Sequence, residues 1–122
     1  MDEFVRAYLE CALWATTDES SPDGGAPLDQ NYTISDIAPE AIQSATEDCK
    51  KFREDNAAAL EGYPDLQAGH DLFLTRCHHG TGFWDRNQKY TTEANENILT
   101  NAAHAIGEVW FHVGDDGKIY ST

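Results

Sequence analysis

The residues with the clearest chemical potential lie near the middle of the chain, around a glycine-containing turn. His79 precedes Asp85 by six residues, and the two glycines between them favour a turn that could bring both side chains together. A carboxylate beside an imidazole orients the ring and raises its pKa, as general acid–base catalysis often requires. Arg76 and Arg86 could hold an anion next to the same turn. His79, Asp85, Arg76 and Arg86 are therefore the catalytic candidates of a small enzyme or ligand-binding module.

The aromatic pair Phe83-Trp84 offers a different use for the same turn. Tryptophan and arginine are among the residues that most often dominate protein interfaces. Phe83 and Trp84 are therefore candidate partner-binding residues. The alternative is that Trp84 packs in the core against the third predicted helix.

No established catalytic or cofactor motif accompanies these residues. The sequence has no nucleophile elbow, Walker loop, H-E-x-x-H pair or Rossmann fingerprint, and we predict no cofactor. Cys11, Cys49 and Cys77 are odd in number and widely spaced, which is typical of reduced thiols and not of a disulfide framework. We therefore expect a cytoplasmic protein without a cysteine-based metal site.

A second candidate surface is acidic and follows one face of the second predicted helix. Glu40, Glu47 and Glu54 recur every seven residues, with Asp48 and Asp55 beside them. Seven helical residues span about 10.5 Å, whereas phosphates follow each other every ~3.4 Å along one DNA strand. The stripe is too sparse to copy DNA alone, but it could form part of a DNA-like surface that binds a partner. The alternative is a solvated helix face.

The charge of the whole chain narrows the possible partners. With 22 Asp and Glu against 8 Lys and Arg, the net charge is -14. Such a surface repels nucleic acid and attracts basic proteins, so we expect a basic partner and no direct nucleic-acid binding. The sequence contains no run of about 18 apolar residues, so we expect no membrane span. Residues 67–90 hold two acids and three bases, so the central stretch is nearly neutral within an acidic chain.

The apolar pattern predicts three helices. The first covers residues 3–15 with Asp2 as its N-cap, and the second begins at Ser35 or Asp36 and ends at Gly62. The third is capped by Thr91 or Thr92 and closed by Gly107.

Strands are predicted at residues 70–76, 108–113 and 118–121, with residues 83–86 as a short strand or extended arm. Residues 114–117 form the turn of a hairpin. The order predicts an α+β fold, with three helices packed on a small, mostly antiparallel three- to four-stranded sheet. Residues 1–122 form a single domain, and the loop at residues 16–33 is of a length and composition that is often mobile.

The central stretch resembles a motif in small, uncharacterised acidic proteins of tailed phages and related bacterial elements. There it reads approximately A-G-H-D-F-x-L-T-R-N-x-H-G-A-G-F-W-D-R, and residues 68–76 and 79–86 are similar to it. The similar proteins also share segments like residues 7–14 and 113–120. This chain departs from the pattern at Cys77, where asparagine is usual, and at Thr81, where alanine is usual. The resemblance implies a phage-type origin, hence the host cytoplasm, and no particular reaction.

Three hypotheses follow from the sequence. The first is a phage-type accessory protein that binds a basic host protein, such as a nucleic-acid-binding or defence protein, and inhibits it through the acidic surface. The second is the enzyme or ligand-binding module centred on residues 79–85. The third is a structural domain in which the motif only builds the fold. The sequence does not predict an oligomeric state.

Overall fold

A computed structural model of the chain describes residues 1–20 and 24–122. It contains four α-helices, α1 (Glu3–Ala15), α2 (Pro39–Asp55), α3 (Asp65–Arg76) and α4 (Glu93–Ile106). The described residues form one sheet, an antiparallel pair of the strands β1 (Phe111–Val113) and β2 (Ile119–Ser121). The prediction of three helices on a three- to four-stranded sheet is therefore wrong. One of the predicted strands is a helix.

The misassigned element is α3. Residues 70–76 were predicted as the best strand, but they form the C-terminal part of α3. Every residue from 71 to 76 is buried, including the polar Asp71, Thr75 and Arg76, so this part of the helix has no solvent-exposed face. A short, uniformly apolar run does not distinguish a buried helix from a buried strand, because both lack a solvent-facing side.

Helices α1 and α3 pack closely at Gly69 to form the centre of the core. A Cβ atom on Gly69 would lie 2.2 Å from the carbonyl oxygen of Phe4, so only glycine permits this approach. Tyr8 and Phe73 meet nearby in an edge-to-face contact with ring centroids 5.5 Å apart. The predicted bounds of α1 are confirmed, and the Asp2 carboxylate accepts a 2.9 Å hydrogen bond from the Val5 amide as the predicted N-cap.

The second helix begins later than predicted. Residues Ile34–Asp36 form a separate 3-10 turn, in which the Asp36 carboxylate accepts a 2.8 Å hydrogen bond from the Thr33 amide. Helix α2 starts at Pro39, whose missing N–H is harmless in the first turn. It ends at Asp55, and irregular turns continue to Gly62, where the backbone has a φ of 83°.

The C-terminal part follows the prediction more closely. Thr92 caps α4 by accepting a 3.1 Å hydrogen bond from the Asn95 amide, and Gly107 ends the helix with a φ of 90°. The hairpin turn at residues 114–117 is confirmed, although both strands are shorter than predicted. Residues Phe83–Asp85 form a 3-10 turn and not the strand or extended arm that was predicted.

In the described parts of the loop at residues 16–33, backbone hydrogen bonds join later residues to those that follow the end of α1. The Leu28 amide donates a 2.9 Å hydrogen bond to the carbonyl of Thr16, and the Asp18 amide donates one of 2.8 Å to Ala26. Leu28 is buried in the core. Residues 21–23, within the segment predicted to be mobile, lie outside the described residues.

Candidate functional site

Arg76, one of the four catalytic candidates, is buried and connects several helices. Its Nη1 donates hydrogen bonds to Tyr8 Oη at 2.8 Å and to Asp48 Oδ2 at 3.0 Å. Its Nε donates to the carbonyl of Gly107 at 2.8 Å. Burial opposes the charge of Arg76, but Tyr8 and Asp48 keep its pKa above the ordinary arginine value. The guanidinium is thus held by α1, α2 and the end of α4 and does not face a ligand site.

Arg86, the second arginine, is committed to a buried carboxylate. Its Nε donates a 3.0 Å hydrogen bond to Asp71 Oδ2, and its Nη2 donates to the other carboxylate oxygen. Asp71 is 0% exposed and also accepts hydrogen bonds from Tyr63 Oη and, at 2.9 Å, from Gln67 Nε2. This network joins α3 to the segment after the glycine turn.

The electrostatics of Asp71 agree with a permanently charged structural group. Burial would raise the pKa of its carboxyl, but His70, Arg86 and Tyr63 together lower it below the ordinary aspartate value. His70 Nδ1 lies 3.9 Å from Asp71 Oδ1, too far for a hydrogen bond, so Arg86, Tyr63 and Gln67 are the direct donors. Burial and the hydrogen bond to Asp71 raise the pKa of the Tyr63 hydroxyl, which keeps it protonated as a donor.

His79 and Asp85 have separate surroundings. The His79 amide donates a 2.9 Å hydrogen bond to the carbonyl of Leu74, and its ring lies 6.0 Å from that of Phe73. Asp85 accepts a 2.9 Å hydrogen bond from the hydroxyl of Thr81. Within residues 1–20 and 24–122, no hydrogen bond or ion pair joins His79 to Asp85. The structure therefore does not assemble the four catalytic candidates into one site.

The predicted binding pair Phe83-Trp84 is divided between core and surface. Phe83 is buried, and its ring stacks on Phe52 and meets Tyr63 edge to face, with centroids 5.7 and 5.5 Å away. The Phe83 amide donates a 3.1 Å hydrogen bond to Thr75 Oγ1. Phe83 is consequently inaccessible to a partner, whereas Trp84 is about half exposed.

The acidic stripe on α2 is solvent-facing but partly neutralised. Asp48 is paired with Arg76, Asp55 lies 2.9 Å from Lys51 Nζ, and Glu54 lies 4.0 Å from Lys50 Nζ. Glu40 and Glu47, towards the start of α2, form no ion pair among the described residues, although Glu47 accepts a 3.1 Å hydrogen bond from Gln43. The negative field of the stripe is therefore strongest at the N-terminal half of the helix.

All three tryptophans are exposed. Trp14, Trp84 and Trp110 expose 55, 48 and 65% of their surface, respectively. Trp14 lies beside His70 with ring centroids 5.7 Å apart. Trp110 is fixed through its backbone, because its amide and carbonyl exchange hydrogen bonds of 3.0 and 2.9 Å with Thr122. Sequence reasoning missed Trp110 as a site residue, although its alternation with the buried Phe111 could have placed it outside.

Trp110 is one of the residues that line a groove of about 460 Å³. The end of α1 and the loop after it form one wall, the end of α3 and the turn after it form the second, and residues 108–111 form the third. We call this feature the Trp110 groove. The residues that line it include Glu19, Phe73, Cys77, His79, Glu108 and Trp110.

The chemistry of the Trp110 groove favours binding over reaction. The Cys77 thiol donates a hydrogen bond to the carbonyl of Val109 at 3.5 Å, and burial raises its pKa, so the nucleophilic thiolate is disfavoured. His78 adopts a left-handed φ of 58° and stacks on His104 with ring centroids 4.4 Å apart. Its Nε2 lies 3.9 Å from Glu108 Oε1. The floor is apolar, and the rim carries two carboxylates.

A second groove of similar volume, about 460 Å³, lies between α2 and α4. Phe52, Ala102 and Ile106 line it, and its rim carries Asp48 and Asp55. Both carboxylates already have basic partners in Arg76 and Lys51. This groove is therefore apolar, and its rim does not favour a ligand of either charge.

The described residues contain no group of three or more His, Cys, Asp or Glu side chains that could hold a metal ion. All three cysteines are free thiols, and Cys11 and Cys49 are buried, which raises the pKa of each to about 12. None of the helices in residues 1–20 and 24–122 combines the length and apolarity needed to cross a bilayer.

Comparison of the chain with protein-family models, curated protein sequences and solved structures finds no match.

Proposed function

We propose that the protein acts by binding a basic protein, as a small acidic accessory protein of the phage type. The observation that carries this proposal is the exposure of all three tryptophans on a chain with a net charge of -14. Indole rings bury large areas at interfaces and lose little conformational entropy when they do so, which makes exposed tryptophans effective contact residues.

Long-range attraction would come from the unpaired carboxylates. Among the described residues, ion pairs with lysine or arginine involve six carboxylates, those of Asp2, Asp48, Glu54, Asp55, Asp65 and Asp71. The described residues include 21 of the 22 acids of the sequence, so most of the described carboxylates have no such partner there. A field of this kind accelerates encounter with a basic surface and selects against acidic partners and nucleic acid.

The specific form of the proposal is inhibition of a nucleic-acid-binding or defence protein in the host cytoplasm. Such proteins present basic surfaces that an acidic protein can cover. The contribution of α2 would come chiefly from Glu40 and Glu47, because Lys50, Lys51 and Arg76 reduce the charge of the later part of the stripe. The stripe would then supply attraction and not a phosphate-by-phosphate copy of DNA.

The test is affinity capture from the lysate of a candidate host, followed by identification of the captured protein and titration with salt. We expect a basic protein whose capture weakens steadily with salt, because the Debye length falls to about 3 Å at 1 M. A complex that survives 1 M salt unchanged would remove the electrostatic part of the proposal. Capture of no basic protein at all would contradict the proposal itself.

Two variants separate the surfaces that could make the contact. Reversal of charge by Glu47→Lys with Glu54→Lys alters α2 alone, and Trp84→Ala alters the turn alone. Because all three side chains are exposed, both variants should fold with nearly unchanged stability. We expect the charge reversal to weaken capture most at low salt, and thus to flatten its dependence on salt, because it removes part of the long-range attraction. Trp84→Ala should weaken capture at every salt concentration if Trp84 is a contact.

A further inference from the structure

We propose that the Trp110 groove receives an arginine side chain of the basic partner. This inference rests on the proposed function and names the chemical group that the protein recognises. The groove combines an exposed indole, on a residue whose backbone is held by two hydrogen bonds, with two rim carboxylates, Glu19 and Glu108, and no lysine or arginine among the described residues lines it. Each of these features favours a planar cation over other occupants.

The apolar part of the groove matches the aliphatic part of an arginine side chain. Phe73 and Phe111 are buried at its floor, and Val109 is half-buried beside them. Arginine buries its methylene stem along apolar surface while its guanidinium reaches the polar rim. Its planar head stacks on aromatic faces, and Trp110 offers the best aromatic surface for such a contact.

The charge of the rim selects the sign of the occupant. Glu108 is half exposed and has His78 Nε2 at 3.9 Å as its nearest possible cationic neighbour. Glu19 belongs to another wall, on the loop after α1. An anionic ligand would meet two carboxylates here, and a purely apolar ligand would leave them unused. The groove between α2 and α4 lacks this preference, since its carboxylates are already paired.

The three tryptophans provide the readout, since each indole N–H gives its own resonance in a proton–nitrogen NMR spectrum. The probes are short capped peptides with a central arginine, lysine or norleucine, titrated at low ionic strength. We expect the arginine peptide to shift the Trp110 indole resonance in a saturable way and to leave Trp14 and Trp84 unchanged. The lysine peptide should bind more weakly, and the norleucine peptide should cause no saturable shift.

A matched pair of variants separates the rim charge from the net charge. Glu108→Gln should weaken the binding of the arginine peptide by roughly two- to fivefold, the range expected for one exposed ion pair. Glu93→Gln removes the same charge from the exposed first turn of α4 and should leave the affinity unchanged. Equal weakening by both variants, shifts at all three indoles, or equal binding of norleucine and arginine would overturn the inference.

The peptide experiment does not require the natural partner, so its failure is distinct from failure of the proposed function. If a basic protein is captured from lysate but Glu108→Gln and Trp110→Ala leave its capture unchanged, the proposed function stands and the arginine site is wrong. If the peptides bind as expected but no basic protein is captured, the groove is an arginine site and the proposed function is wrong.

Discussion

Helix α3 and the Trp110 groove at its C-terminal end use charged residues in opposite ways. In α3, Asp71 and Arg76 are buried, and each is surrounded by hydrogen-bonding partners. At the groove, Glu19 and Glu108 lie at a rim where the described part of the chain places no lysine or arginine. The charges of the central motif thus chiefly stabilise the fold, whereas the charges available to a partner lie outside that motif.

The Asp71 network should show the largest effect on stability. Asp71→Ala leaves the mostly buried guanidinium of Arg86 without its carboxylate, and loss of one partner of a buried pair typically costs about 3–5 kcal/mol. We expect chemical denaturation to report a loss of this size. Asp115→Ala, at the exposed hairpin turn, is the control and should have almost no effect. A loss below about 1 kcal/mol for Asp71→Ala would mean that the network is not formed.

The adjacent residues Phe83 and Trp84 should differ in their contribution to stability by nearly as much as Asp71→Ala costs. Phe83→Ala should lower the free energy of unfolding by about 3–5 kcal/mol, because it removes a fully buried ring from contact with Phe52 and Tyr63. Trp84→Ala should change it by less than about 0.5 kcal/mol, because the side chain is exposed. Urea denaturation of both variants measures the difference, and equal losses would place Trp84 in the core.

The glycines should show an intermediate effect. Gly69→Ala places a Cβ atom against the backbone of Phe4, and overpacking of this kind typically costs about 1–3 kcal/mol. Gly80→Ala is the matched control, because a Cβ atom there meets no atom of residues 1–20 or 24–122 within 4 Å. Thermal unfolding of the two variants should separate them clearly. A stable Gly69→Ala protein would require α1 and α3 to lie further apart than described.

The smallest effect is the pH dependence carried by Asp71. Its pKa is lower in the folded protein than the value of about 3.9 expected in the unfolded chain. The corresponding stabilisation is therefore complete above that value and is lost as the pH falls through the lower folded pKa. The stability difference between the natural protein and Asp71→Asn should be constant from about pH 5 to 7 and shrink below about pH 4. Urea denaturation across this range measures it, and a difference that stays constant in acid would contradict a charged Asp71.

The parts of the fold with local signals were predictable from the sequence. Asp2 and Thr92 cap their helices and Gly107 ends one, because these features depend only on neighbouring residues. Helix α3 was not predictable by pattern, since burial on all sides removes the helical period. Its helical state depends on packing against α1 at Gly69, a contact between residues more than sixty positions apart.

The candidate site was less predictable than the fold. Arg76, Arg86, His79 and Asp85 are close in sequence, but two of them are used by the core and the others point to different neighbours. The Trp110 groove combines three segments from both ends and the middle of the chain. Sequence spacing cannot indicate such a meeting, whereas the exposure of Trp110 could be inferred from its alternation with Phe111.

The hydrogen-bond partners of Arg76 also determine how the protein unfolds locally. This one side chain has hydrogen bonds to α1, α2 and the end of α4, so detaching any of these elements deprives a buried cation of a partner. Partial opening would thus incur much of the cost of complete unfolding. The central amides of the helices should consequently exchange with solvent as a single cooperative unit, while the rim of the Trp110 groove remains free to fluctuate.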